Sequence, residues 1–251
     1  MRIFLKTEDE IILLRAASQL ATRALIEVGR HVVPRLALSH LRNKVVNAVM
    51  RTVPTESNSG KEALSSDTEF TFFVNGAYIE PSLEGECMLC EGDWLTVNCW
   101  VCLDGYYSFG AHTFIVGSSQ DDEPMTSTLI DMLRQVVRRA SAGHSIKEMS
   151  RTVYSLHSHD PYVLQKTFGH GVGRNRVENP ILRMNPGVND TVLLKEGMCL
   201  VIALAFKHGR SHLIKPRLMH ESTFHNPFVP FGTTVVVRPG RPEILTSFET
   251  I

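Results

Sequence analysis

Apolar and polar positions alternate along this chain with two periods, and the switches between them outline the elements. Leu13, Ala17, Leu20, Ala24 and Val28 recur three or four residues apart, the spacing of one face of an α-helix. Thr7 and Glu10 frame its start as a capping box, and Gly29 offers a stop. A second helix is expected after Ser39, running to about Val53, with Leu41, Val45 and Val49 inward. Residues 70–79 are apolar and aromatic and read as a strand. Residues 94–103 and 106–116 flank Asp104-Gly105, a hairpin signal. Residues 125–140 return to helical spacing: Leu129, Met132, Leu133, Val136 and Val137 share one side, and Arg134, Arg138 and Arg139 face solvent. Gly143 ends that helix, and Ser145 with Glu148 forms a second capping box opening a helix to about His157. Short strands follow at 165–169, 191–194, 198–206 and 232–238, the last turning at Pro239-Gly240-Arg241-Pro242 into a return at 243–246. Helices mixed with antiparallel hairpins in this order predict an α+β fold. Residues 54–69 show no period. A stretch longer than about 12–15 residues without structure is a lid, a binding loop or a disordered excursion. No low-complexity linker divides the chain, so residues 1–251 are expected to form one domain.

Composition narrows the function classes. Lys+Arg and Asp+Glu are both 26 in 251 residues, so no bulk charge points to nucleic acid or an anionic membrane. No apolar run approaches the roughly 18 residues that suggest a membrane span. The first ten residues are charged and lack a signal-peptide pattern, and five cysteines, an odd number, suit free thiols. A cytoplasmic protein is expected. Cys87-x-x-Cys90 and Cys99-x-x-Cys102 have zinc-like spacing. However, Cys99 and Cys102 fall three apart on an expected strand and so point to opposite faces. Buried thiols are the expected outcome.

The densest chemistry lies in Phe168-Gly169-His170-Gly171-Val172-Gly173-Arg174. Glycines there allow tight turns or close backbone approach and present His170 on a bare loop. By pattern alone this is either a structural turn or the centre of a site.

The order of motifs resembles the methionine aminopeptidase and creatinase group, whose fold is the pita-bread fold of two pseudo-symmetric αβ halves. The resemblance runs from Leu5-Lys6-Thr7-Glu8-Asp9-Glu10-Ile11 through Glu91-Gly92-Asp93-Trp94, Asp104-Gly105-Tyr106 and Ala142-Gly143. It continues through Gly169-His170-Gly171-Val172-Gly173-Arg174, Glu196-Gly197-Met198 and Thr233-Thr234-Val235 to Glu243-Ile244-Leu245-Thr246. It implies a dinuclear metal site built from two Asp, one His and two Glu. Carried over one by one, those positions fall on Trp100, Phe109, His170, Ala203 and Gly232. Two further histidines of the group fall on Glu80 and Val177. One ligand of five remains, so the resemblance implies a divergent member that is not a metallopeptidase. No metal or other cofactor is expected.

The cleft that the resemblance implies would keep His170, Arg174 and Glu178, gain Glu80, and lie near Asp104 and Tyr106. Trp100, Phe109, Ala203 and Gly232 would line it. His170, freed of metal, is either a relic of the tight turn or a general acid–base, with Glu80 or Glu178 as orienting groups. Arg174 more readily fixes the loop than binds a carboxylate. Two functions follow: a cleft that binds an amino-acid-like or peptidyl ligand, with or without metal-independent chemistry on His170, or a non-catalytic protein- or peptide-binding domain, as in histone chaperones of this fold. A third reading places one metal on the late histidines His208, His212, His220 and His225, with His112 in the hairpin. The expected partner is a small molecule or peptide, with no role for nucleic acid or membrane.

Overall fold

The structure is a computed structural model that describes residues 2–53, 64–117, 124–157, 163–164, 167–185, 192–207 and 228–247. Helix α1 spans Glu8–His31, and α2 spans Leu38–Thr52. Strands β1 (Glu69–Val74), β2 (Ala77–Tyr78), β3 (Trp94–Leu103) and β4 (Tyr106–Ile115) complete the first half. The second half contains α3 (Pro124–Arg138), α4 (Ile146–His157), β5 (Val163–Leu164), β6 (Thr167–Gly171), β7 (Glu178–Arg183), β8 (Cys199–Lys207), β9 (Phe228–Val236) and β10 (Glu243–Ile244).

Both capping boxes form: Thr7 accepts from the Glu10 N–H while Glu10 accepts from Thr7 N–H at 3.0 Å, and Ser145 and Glu148 repeat the exchange. Gly29 does not stop α1, which continues to His31. Its absent side chain instead admits the Phe114 ring, an atom of which would lie 3.1 Å from a Cβ there. The single strand expected at 70–79 is two strands. Asn75 and Gly76 both take positive φ (52° and 80°) and turn β1 into β2, as a two-residue hairpin requires. Asp104 and Gly105 do the same between β3 and β4. Strand β7 has no alternating signal, and its Pro180 argues against a central strand. It lies at the end of the sheet, where proline is tolerated. Of the strand expected at 191–194, residue 191 lies outside the described residues and 192–194 contribute one isolated bridge, Ser145 to Leu193.

The sheet runs β2-β1-β3-β4-β9-β8-β6-β7, and its paired neighbours are antiparallel. Helices α1 and α2 cover one face of the first half, where Leu25, Val45, Phe72, Val97 and Phe114 are buried together. Helices α3 and α4 cover the second half over Leu133, Met149, Ile202 and Phe231. The halves meet at β4 and β9 through one register pair, Ala111 with Gly232. Side-chain hydroxyls supplement that short ladder. The Phe109 N–H donates to Thr234 Oγ1, and its carbonyl accepts from Thr234 and Thr246, each at 2.9 Å. Buried backbone groups need such partners where a ladder ends.

Candidate functional site

Alternation along the strands sets which side chains face the helices and which face away. On β3, Leu95, Val97, Cys99 and Val101 join the helix-side core, so Trp100 points to the opposite face. Its register partner on β4 is Phe109, and the two rings lie 4.8 Å apart at 45°. Gly232 on β9 pairs with Ala203 on β8. A Cβ on Gly232 would meet a Phe109 ring carbon at 2.7 Å and the Ala203 Cβ at 3.0 Å. His170 on β6 pairs with Val201 on β8, two residues from Ala203. Trp100, Phe109, Gly232, Ala203 and His170 therefore form one oblique row on a single face of five neighbouring strands; the residues strictly in register with Gly232 on β4 and β3 are Ala111 and Asn98.

His170 reaches this row because β6 is irregular. Thr167 pairs with Arg183 and Gly169 with Leu182, leaving one extra residue between them. Such a bulge resets the alternation. Phe168 can then sit in the helix-side core while His170 faces away. Three glycines make the path possible. A Cβ at Gly169 would lie 2.2 Å from the Val201 carbonyl oxygen. At Gly171 it would lie 2.4 Å from the Asn179 carbonyl oxygen, and at Gly173 it would run into the Lys6 side chain.

The His170 ring lies nearly parallel to Trp100, with centroids 6.1 Å apart and planes 9° apart. Its Nδ1 is 2.9 Å from the Gly171 carbonyl oxygen. A carbonyl only accepts, so the proton sits on Nδ1 and Nε2 carries the lone pair. Burial pushes the imidazole below its ordinary pKa, and the Gly171 bond offsets part of that. The ring is neutral at pH 7 and offers an acceptor.

The structure gives the two proposed orienting carboxylates other surroundings. Glu178 is buried against Lys6, at 2.6 Å, and also accepts from Asn175 N–H at 3.2 Å. That pair ties the segment before α1 to the end of the glycine turn. Glu80 is exposed where the chain leaves β2 and enters the Pro81–Leu83 turn. Asp104 makes the β3–β4 turn through its positive φ. Tyr106 is buried and donates to Glu10 at 2.8 Å. The exposed Arg174 lies over the Tyr106 ring at 4.7 Å and 3.9 Å from Glu10. These three groups brace the start of α1, in keeping with the loop-fixing reading of Arg174.

Residues not anticipated from the sequence stand beside Trp100. Arg176 lies over the Trp100 ring at 5.7 Å and the Tyr107 ring at 5.8 Å. It donates to Glu69 at 2.8 Å and to the Asp67 carbonyl, joining the second half to the first. Tyr107 donates to the Asp67 carboxylate at 2.6 Å, which pushes the phenol up to about 12. Tyr107 was reachable by alternation from Phe109. Arg176 had no sequence signal.

The cysteines behave as their spacing on β3 predicts. Cys99 is buried under the helices and Cys102 shares the parity of Trp100; none of the five cysteines forms a disulfide, and Cys90 alone is only half-buried. Among the described residues no group of three or more His, Cys, Asp or Glu is placed to hold a metal ion. His112 is buried between the Phe114 and Phe231 rings, both 4.7 Å away. His208, His212, His220 and His225 lie outside the described residues, as do positions 54–63 of the loop without periodicity. Among the described residues no helix is long and apolar enough to cross a membrane.

Comparison with known proteins agrees with the architecture. The profile of metallopeptidase family M24 matches residues 12–238. The methionine aminopeptidase of Helicobacter pylori is 28% identical over 225 residues, covering 85% of this chain and 87% of that protein. The crystal structure of methionine aminopeptidase from Thermotoga maritima superposes with a TM-score of 0.79 at 20% identity, over 98% of this chain and 100% of that one. The N-terminal domain of FACT complex subunit SPT16 from chickpea superposes at 0.72 and 17% identity, over 97% of this chain and 58% of that one. With the pita-bread sheet, the glycine-flanked histidine and a profile match across most of its length, the chain belongs to metallopeptidase family M24.

Proposed function

We propose that this M24 protein uses its cleft to bind an amino-acid-like or peptidyl ligand, and that the cleft holds no dinuclear metal centre. One observation carries the reading. The Phe109 ring stands where a side chain from position 232 would enter, so the centre of the row is filled by an aromatic ring. The chemistry of the row agrees: an indole, a phenyl ring, a methyl group and a glycine offer nothing to a hard divalent cation, which needs oxygen or imidazole donors. Among the described residues of this face, His170 offers an imidazole and Asn98, in register through Ala111 with Gly232, offers one buried amide oxygen without a hydrogen-bond partner; two neutral donors fall short of a dinuclear centre. The residues present do not fit the dinuclear site that the family implies.

What the cleft offers instead is one neutral imidazole acceptor beside an indole face. That combination suits a ligand that donates from a primary amine, such as a peptide N-terminus. His170 Nε2 accepts from the ammonium. The same lone pair can take a proton in a metal-independent reaction. A competing reading is an active methionine aminopeptidase, favoured by the similarity to the Helicobacter pylori enzyme along most of both chains. The donor set of the row opposes it.

Calorimetric titration with a Met-Ala-Ser tripeptide tests the proposal. Binding is expected with the free amine and unchanged by a metal chelator. Acetylating the amine removes a charge-assisted hydrogen bond and is expected to weaken binding by about 10-fold or more. His170→Ala should weaken it similarly. Binding that disappears with the chelator, or that ignores both acetylation and His170→Ala, contradicts the proposal.

A further inference from the structure

A concavity lies at the end of α3 and the β9–β10 turn. It is half open to solvent, has a volume of about 590 Å³, and is lined by Arg134, Val137, Arg138, Arg241, Pro242 and Ile244, with Gly240 at the turn. Pockets for small ligands span roughly 300–1,000 Å³. It belongs to the helix-covered side of the second half: Val137 is in the core beneath α3 and α4, whereas His170 faces away from that core.

Two features make it more than a solvated arginine face. The first is convergence of charge. Arg134 and Arg138 are one helical turn apart on α3, and Arg241 comes from the turn opposite. Arg134 is held by Asp131 at 2.7 Å. Among the described residues Arg138 and Arg241 have no carboxylate partner, which is also true of other surface arginines such as Arg35, Arg51 and Arg139, but these two line the same concavity. The carboxylate nearest in sequence, Glu243, is already bound to Arg15 and Arg238. Alternation on β10 turns it to the face opposite Ile244, so it does not neutralise the pocket. The carbonyls of Val136 and Val137 at the end of α3 accept from the N–H groups of Arg139 and Ala140, which removes them as competitors for an incoming group.

The second feature is an apolar wall. Val137 is almost fully buried, while Ile244 is 41% exposed beside Pro242. A site with both guanidinium groups and exposed aliphatic surface suits a ligand with an anionic head and an apolar body. Two unpaired guanidinium forks exceed what one carboxylate needs. They match a phosphate group, which carries about −1.5 to −2 charges at pH 7 and three strong acceptor oxygens.

We propose that this pocket is a binding site for an organic phosphate, with Arg138 and Arg241 on the phosphate and Pro242 and Ile244 against the apolar part. It is independent of the cleft at His170.

Titration of the full chain at low salt with phenyl phosphate, inorganic phosphate and benzoate tests this. Phenyl phosphate is expected to bind about 10-fold or more tighter than either fragment, since burying a ring adds at least ~1.4 kcal/mol. Arg138→Ala and Arg241→Ala are each expected to weaken phenyl phosphate about 10-fold or more, the loss of one charge-assisted contact. Arg139→Ala removes a charge from the same helix end without touching the pocket and should change binding less than about twofold. Thermal melting of each variant, matching the parent, separates loss of binding from loss of folding. Absence of saturable phenyl phosphate binding overturns the proposal. So does an Arg139→Ala loss as large as that of Arg138→Ala, which would mean diffuse attraction. Equal affinity for phenyl phosphate and inorganic phosphate overturns the assignment of the apolar wall.

Discussion

The two arms of the cleft are built by different means. The His170 arm is held mainly by backbone: Gly169 and Gly171 let β6, β7 and β8 approach so closely that carbonyl oxygens occupy the space of any side chain, and Gly173 makes room for Lys6. The Trp100–Phe109 arm is held by side chains, and what fills the space above Gly232 is a ring that can rotate or be cut away. The first kind of site is fixed by the fold. The second can change its chemistry while the fold persists. That difference would let a chain that matches M24 over residues 12–238 carry a changed site chemistry on an unchanged fold. Fold and site chemistry are separable properties.

The largest expected effect concerns what anchors the backbone arm. Lys6→Met leaves the Glu178 carboxylate buried without its partner and is expected to destabilise the chain by about 3–5 kcal/mol, read from urea denaturation. The double variant Lys6→Met/Glu178→Leu should recover most of that loss. If the single variant is neutral, the ion pair does not hold the turn. Next is Gly169→Ala, whose Cβ would meet the Val201 carbonyl with no flexible atom to yield. A cost of about 3 kcal/mol is expected, at the upper end for overpacking.

Gly232→Ala should be milder, about 1–3 kcal/mol, because a ring must move rather than a backbone. The comparison sharpens in the Phe109→Ala background. With the ring gone, the added cost of Gly232→Ala should fall close to zero, whereas that of Gly169→Ala should persist. A double-mutant cycle reads this directly. Equal costs in both backgrounds would mean that Phe109 does not fill the space above Gly232.

The smallest effect is a pH dependence. His170 has a lowered pKa in the folded chain, so the unfolded chain takes up its proton first as pH falls. Its contribution to stability is complete above the unfolded value of about 6.5 and is lost as pH falls through the lower folded value. His170→Asn should flatten the stability curve over that window. An imidazole resonance of His170 titrating at or above 6.5 by NMR would contradict the burial argument.

Much of this was legible in the sequence, for identifiable reasons. Capping boxes, the helical period of α1 and the Asp104-Gly105 turn are local signals, and β3 begins and ends at the expected residues. The α+β class and the family followed from motif order. Other features depend on tertiary surroundings. Gly29 reads as a helix stop but serves contact with Phe114. Glu178 was a candidate partner for His170, but the residue that reaches it, Lys6, comes from 172 positions away. Asn75-Gly76 was a readable turn hidden inside an apolar run. The bulge at Phe168 depends on pairing with β7, whose own sequence lacks strand alternation. Arg176 reaches Trp100 and Glu69 only because the two halves close on each other, and no local pattern announces that.

The proposed cleft works without a dinuclear metal. The most direct measurement is the metal content of the full chain after incubation with cobalt(II) or manganese(II) and removal of free ion, with hydrolysis of an N-terminal methionyl peptide followed on the same sample. No stoichiometric metal and no metal-dependent release of methionine are expected. Two metal ions per chain together with turnover would contradict the proposal.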